Sequence, residues 1–112
     1  LNWRDRKGKL PEGRGLGVSF SGGPSSIVIM PHAPTGITIQ INMEGGVNIF
    51  SGGVDIGQGM DTVVCQAAAQ ELGLSMEDIR LTRADTATTP YDKGTFGTGG
   101  ALRLGNAAVA AA

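Results

Sequence analysis

Gly53-Val54-Asp55-Ile56-Gly57-Gln58-Gly59-Met60-Asp61-Thr62 reads as a strand, a glycine-bracketed turn and the first turn of a helix. Glycine permits positive φ and close backbone approach, so Gly57 and Gly59 allow a sharp reversal on either side of Gln58. A helix start leaves its first amide N–H groups without intrahelical partners. Those groups, aided by the helix dipole, attract anions. Gln58 adds a neutral donor and acceptor that does not titrate. The stretch predicts a site that grips an oxygen-rich, anionic cofactor.

Periodicity extends the reading in both directions. Upstream, Ile37, Ile39, Ile41 and Met43 alternate with Thr38, Gln40 and Asn42, which predicts a strand with one buried face. Glu44-Gly45-Gly46 predicts a tight turn, and residues 47–51 return as the second strand of a hairpin. Downstream, Met60, Val63, Val64, Ala67, Ala68 and Leu72 fall at helical spacing. Gly73 fits the position just past a helix, with Leu74 folding back over the last turn. Ser75-Met76-Glu77-Asp78 resembles a capping box for one helical turn, and residues 79–82 follow as a strand.

Residues 84–98 form a long connection rich in Thr, Asp, Pro and Gly, a length associated with function or disorder. A second helix is predicted from Gly99 or Gly100, carrying Leu102, Leu104 and alanines. Gly105 inside it costs about 1 kcal/mol against alanine, which predicts close packing of another backbone there. Nearer the start, Leu16, Val18 and Phe20 suggest a strand over 14–21, and residues 27–30 a short strand stopped by Pro31 and Pro34. The element order predicts an α+β fold: a two-layer domain with a β-hairpin-rich sheet and two helices packed on one face. Residues 1–13 read as a basic linker and 14–112 as the domain.

A chain of 112 residues sets a prior of one domain with a modest core. A formal net charge of −1 points to neither nucleic acid nor an anionic membrane as partner. Five of nine basic residues (Arg4, Arg6, Lys7, Lys9, Arg14) lie in the first fourteen positions and read as a solvated leader. No apolar run is long enough to span a membrane, and no signal-peptide pattern is visible. The single Cys65 cannot form an internal disulfide or a thiolate metal cluster, which fits a reducing, cytoplasmic setting. Nineteen glycines exceed twice the usual share of roughly 7 % without any collagen-like period, so they read as positional. A start at Leu1 and an uncapped alanine run at the end read as a piece of a longer polypeptide.

Both predicted helices begin in glycine-rich turns, Gly57-Gln58-Gly59 and Gly97-Thr98-Gly99-Gly100. Each start carries roughly half a positive charge, so two such ends could flank one phosphate-bearing ligand. The residues alone equally allow two ordinary loop-to-helix turns. Neither segment has the Gly-Lys-Ser/Thr of a P-loop or a G-x-G-x-x-G after a strand. Cys65 on the helix reads as a small buried residue, and His32 between Pro31 and Ala33 as a surface turn residue. Asp85 and Asp92 read as turn formers. Asp61 favours the helix dipole, and its charge should turn away from a phosphate. Met60 is read equally well as core or as cofactor contact.

Residues 46–112 resemble the molybdenum-cofactor-binding domain of the xanthine dehydrogenase/aldehyde oxidoreductase family large subunit. Large subunits of the 4-hydroxybenzoyl-CoA reductase type are the nearest in appearance. The residues carrying the likeness are 53–59, Ala68-Ala69-Gln70-Glu71-Leu72-Gly73, Ala84-Asp85-Thr86, residues 89–96 and Gly105-Asn106-Ala107. Residues 8–17 resemble the family's approach to this domain, so the likeness spans nearly the whole chain.

The resemblance implies that Gln58 hydrogen-bonds near the metal's oxo group and the pterin. It implies that Gly59, Met60 and Asp61 contact the phosphate or nucleotide tail, with Gly57 in the same turn and Gly97, Thr98, Gly99 and Gly100 also lining that tail. The implied cofactor is molybdopterin with molybdenum, including its cytosine dinucleotide form. FAD and iron–sulfur clusters would sit on partner subunits or domains, beside the remaining parts of the large subunit. No residue of this stretch is implied as a catalytic base or as a metal ligand, so the piece alone should be inactive while its parent is an oxidoreductase. Where relatives show Ser-Ser-Arg or similar, this chain has Gly97-Thr98-Gly99, which would weaken a charged grip on the tail or leave it to backbone amides. The parent substrate class implied is an aldehyde, an aromatic N-heterocycle or an aromatic acyl-CoA. The alternatives are a stand-alone, non-enzymatic α+β binding or assembly module, and a phosphate- or nucleotide-binding domain unrelated to molybdenum.

Overall fold

The computed structural model describes residues 2–23 and 34–112. The strand expected at 27–30 and the turn holding His32 lie outside the described residues. Three strands form one sheet in the order β1-β2-β3, with β1 Ile37–Ile41, β2 Val47–Ser51 and β3 Ile79–Arg83. β1 and β2 make the antiparallel hairpin that the alternation predicts, with Ile39 opposite Ile49 and Ile41 opposite Val47. β3 adds parallel to β2, with Val47 beside Ile79 and Ile49 beside Leu81. A parallel neighbour needs a crossover, and helix α2, Met60–Leu72, supplies it. Helix α3, Gly100–Ala111, follows the long loop. A single turn at Trp3–Arg6 is α1.

The core lies between one sheet face and the two long helices. Val47, Ile49 and Ser51 alternate inward from β2, and Met60, Val64, Ala68, Leu104 and Ala108 meet them from the helices. The α+β, two-layer expectation describes this arrangement. α2 keeps its expected bounds because its apolar residues repeat at helical spacing and Gly73 stops it. There the Leu74 N–H donates to the Ala69 carbonyl. Ser75 accepts from the Glu77 amide and caps a short 3₁₀ turn before β3.

Four local expectations change. The stretch 14–21 is irregular and exposed, with Phe20 96 % exposed. A strand needs a hydrogen-bonded neighbour and a face to bury, and none pairs with 14–21 among the described residues. β1 ends at Ile41 because Asn42 opens the turn, its carbonyl accepting from the Gly45 amide. Met43 is therefore solvent-exposed. Residues 53–55, read as a strand, lie outside the sheet, since β2 stops at Ser51 and the Ser51 hydroxyl accepts from the Gly53 amide. Finally, Gly105 faces a side chain and not another backbone: a Cβ there would sit 3.5 Å from Val63 Cγ1, an ordinary contact. Gly105→Ala should therefore stabilise the fold by up to about 1 kcal/mol through helix propensity. A denaturation midpoint unchanged or lowered would contradict this packing.

Candidate functional site

The turn between β2 and α2 is built by one carboxylate. Asp55 Oδ1 accepts from the amides of Gly57 at 2.8 Å and Gly59 at 3.3 Å, and Oδ2 accepts from the Asp61 amide at 3.3 Å. The chain can curl this tightly because Gly57 and Gly59 take φ of 104° and 74°, which side chains resist. Asp55 thus occupies amides that the sequence reading left open to a ligand. The Gly57 bond is the largest influence on its carboxyl, holding it below the ordinary value of 3.8. Desolvation opposes this; the Asp61 and Gly59 bonds and the Arg83 charge assist it. A depressed folded-state value means that the contribution of Asp55 is complete above pH 3.8 and fades as pH falls through the lowered value. A carboxyl titration followed by NMR should find a midpoint below 3.8; a midpoint at or above it would contradict these hydrogen bonds.

Gln58 sits at the exposed tip of that turn. Its Oε1 accepts from the Ile56 amide at 2.7 Å, which fixes which end of the carboxamide is oxygen. Nε2 then faces the start of α3: a Cβ added to Gly100 would stand 3.3 Å from it and 2.8 Å from Thr95 Cγ2. The two glycine turns predicted from sequence are therefore neighbours, and glycine at position 100 lets the Thr95 and Gln58 side chains approach the start of α3 this closely.

A groove runs past this point. One hollow of about 440 Å³ is lined by Ile56, Gln58, Thr95, Thr98 and Ala101. A second, of about 530 Å³, shares Ile56 and Thr95 and adds Gly52, Val54, Lys93 and Phe96. The rim is apolar in part, with Val54, Ile56 and Phe96 all substantially exposed. Thr98 has φ of 59°, a left-handed conformation unusual for a β-branched residue. Such strain costs on the order of 1–3 kcal/mol and clusters at functional sites. A larger hollow of about 730 Å³ on the N-terminal arm, lined by Asn2, Trp3, Arg4, Asp5 and Val18, has no such convergence.

The sequence-selected residues divide accordingly. Gln58 and Thr98 line the groove, and Gly100 borders the Gln58 amide. Gly97 takes φ of 64° in the 3₁₀ turn that leads into α3, and Gly99 is buried beside it. Met60 is fully buried in the core, so its side chain does not line the groove. The Asp61 carboxylate forms an ion pair with Arg83 on β3. Asp85 accepts from the Ala87 amide, and Asp92 from the Gly94 amide and the Thr35 hydroxyl, so both act as turn formers. Cys65 is half-buried, and burial followed by the Asp61 charge pushes its thiol up, which suits packing and not nucleophilic attack.

Three contributors escaped the sequence reading. Asp55 stands two residues before Gly57 and four before Gly59, the spacing of a side chain that caps its own turn, and that signal was present. Lys93 places a cation in the lining of the second hollow, beside the Asp92 carboxylate. Arg103 donates from Nη2 to the Gly94 carbonyl at 2.6 Å and ties the long loop to α3. Nothing local in sequence announces that contact.

The profile of the family described as "Molybdopterin cofactor-binding domain" matches residues 1–112. The chain is 36 % identical over 84 residues to the putative xanthine dehydrogenase molybdenum-binding subunit XdhA of Escherichia coli K12, covering 74 % of this chain and 11 % of that protein. It is 32 % identical over 114 residues to the carbon monoxide dehydrogenase large chain of Afipia carboxidovorans, covering 96 % of this chain and 14 % of that one. A crystal structure of a Cu,Mo-CO dehydrogenase in its carbon monoxide reduced state aligns with a TM-score of 0.60 at 35 % identity, over 64 % of this chain and 9 % of that chain. The chain thus spans about a tenth of the length of the curated relatives it matches.

Proposed function

This chain belongs to the molybdopterin cofactor-binding domain family, and on that premise we propose that it forms one wall of the cofactor cradle in a molybdenum hydroxylase or dehydrogenase. The observation that carries the reading is the Gln58 carboxamide. Its oxygen is committed to Ile56, while its NH₂ is directed toward the start of α3 and its side chain lines the groove. A planar, oxygen- and sulfur-rich ligand fits a slot with one neutral donor and apolar walls. Gln58 donates to it, and Thr98 and Gly100 shape the opposite wall. The uncapped amides at the start of α3 favour the negative charge of a phosphate tail, including that of a cytosine dinucleotide form, while Lys93 is offset by Asp92 in the same lining.

The bound group supplies two-electron redox chemistry at molybdenum. The chain's own residues hold its ligands in register and keep water from part of its surface. The parent enzyme acts on an aldehyde, an aromatic N-heterocycle or an aromatic acyl-CoA, by oxidative hydroxylation for the first two. A 4-hydroxybenzoyl-CoA reductase type would run in the reductive direction. Residues 14–112 serve as part of the cofactor domain and 1–13 as its lead-in. The exposed rim of Val54, Ile56 and Phe96 is the surface that the remaining parts of the large subunit cover. Iron–sulfur and FAD subunits complete the electron path in the cytoplasm, and neither nucleic acid nor membrane takes part. No helix among the described residues is long and apolar enough to cross a membrane.

Molybdenum and pterin analysis of the polypeptide containing this chain, purified from its native host, tests the reading. Near-stoichiometric metal with an organic pterin is expected. Protein folded and free of both would contradict it.

A further inference from the structure

We infer that Asp55 is a positioning residue for Gln58: it fills the amide nest at the start of α2, so that the turn offers a ligand the Gln58 NH₂ and not its helix dipole. This rests on the cofactor-cradle reading above and deepens it.

One carboxylate fixes the residues on both sides of the glutamine. Oδ1 holds Gly57 and Gly59, which flank Gln58, and Oδ2 holds Asp61. With the turn pinned, the Ile56 amide meets Gln58 Oε1, and the NH₂ has only the direction toward Gly100 left. The nest that would otherwise attract a phosphate already holds a carboxylate, and Asp61 adds a second negative charge that Arg83 balances. A phosphate brought to this helix start would meet Asp55 first. The amides of Gly57, Gly59 and Asp61 are therefore not free to hold a phosphate, and the ligand atom that meets the Gln58 NH₂ is an acceptor.

A double-mutant cycle of Asp55→Ala and Gln58→Ala in the metal-loaded protein tests this. Its readouts are molybdenum per polypeptide, kcat and KM, and amide hydrogen exchange across 55–61. Asp55→Ala should speed exchange at Gly57, Gly59 and Asp61 and lower metal content or kcat/KM by about tenfold through misplacement of Gln58. The double variant should lose no more than Gln58→Ala alone. Asp55→Asn should restore most function, since its oxygen still accepts from Gly57 and Gly59, while the Asp61 amide exchanges faster.

If Gln58→Ala alone changes neither metal content nor kinetics, the cradle reading itself falls. If Gln58→Ala has its effect but Asp55→Ala has none, or the two losses simply add, the positioning role is overturned. Should Asp55→Ala not fold, Asp55→Asn carries the same cycle, and a loss additive with Gln58→Ala overturns it.

Discussion

Gly52→Ala is expected to destabilise the fold by about 3 kcal/mol, the upper part of the range for overpacked sites. Gly52 follows the last residue of β2 where the chain leaves the sheet. A Cβ there would overlap the Pro90 carbonyl oxygen and stand 3.0 Å from the Asp92 amide nitrogen. Both obstacles are backbone, so no side-chain rotation relieves them. Relief requires moving the loop around Asp92, which is held to the Thr35 hydroxyl and the Gly94 amide. The neighbouring Gly53 has different obstacles, the side chains of Leu104 and Met60, which can shift at lower cost. Thermal unfolding by circular dichroism should show Gly52→Ala melting about 10 °C or more below the parent, and Gly53→Ala falling less. A Gly52→Ala midpoint within about 2 °C of the parent would show that the loop does not pack against β2's end in this way.

Gln58→Ala carries the largest expected effect on activity. Removing one well-placed donor from a reaction site typically costs about 10²- to 10³-fold in turnover, and a loss in that range is expected for the metal-loaded protein. Stability should fall by only about 1 kcal/mol, the worth of the hydrogen bond to the Ile56 amide, because the side chain is otherwise exposed. Gln58→Glu separates the two roles. It keeps an oxygen for Ile56 but offers no N–H, so it should retain the stability and still lose the activity. Activity per folded molecule that is unchanged in both variants would reduce Gln58 to a turn residue.

Much of the fold was legible because its signals are local. The alternation at 37–41 half-buries Ile37 and Ile39 but leaves Ile41 exposed beside the turn, whereas the 3.6-residue spacing over 60–72 buries one face, and Gly73 and Ser75 mark where that helix ends and the next turn begins. Two misreadings share a cause. Residues 14–21 alternate like a strand, yet alternation reports a face and not a partner. Residues 53–55 have strand-like composition, yet Ser51 turns the chain out of the sheet. The parallel seat of β3 beside β2 depends on contacts more than twenty residues apart in sequence, which no window of periodicity contains.

The two glycine turns and Gln58 were legible, and the structure makes them neighbours. What the sequence concealed is the electrostatic assignment. Asp55 sits in plain view in the motif, but only the geometry directs its carboxylate into the amides of Gly57, Gly59 and Asp61. The ion pair of Asp61 with Arg83 likewise needs β3 in place beside the start of α2.

The most direct measurement is a crystal structure of the metal-loaded protein. The Gln58 Nε2 should stand at hydrogen-bond distance, about 3 Å, from an acceptor atom of the bound cofactor, with Asp55 still seated in its three amides. A cofactor lying elsewhere on the domain, with the Gln58 carboxamide touching only protein or bulk water, would contradict the account.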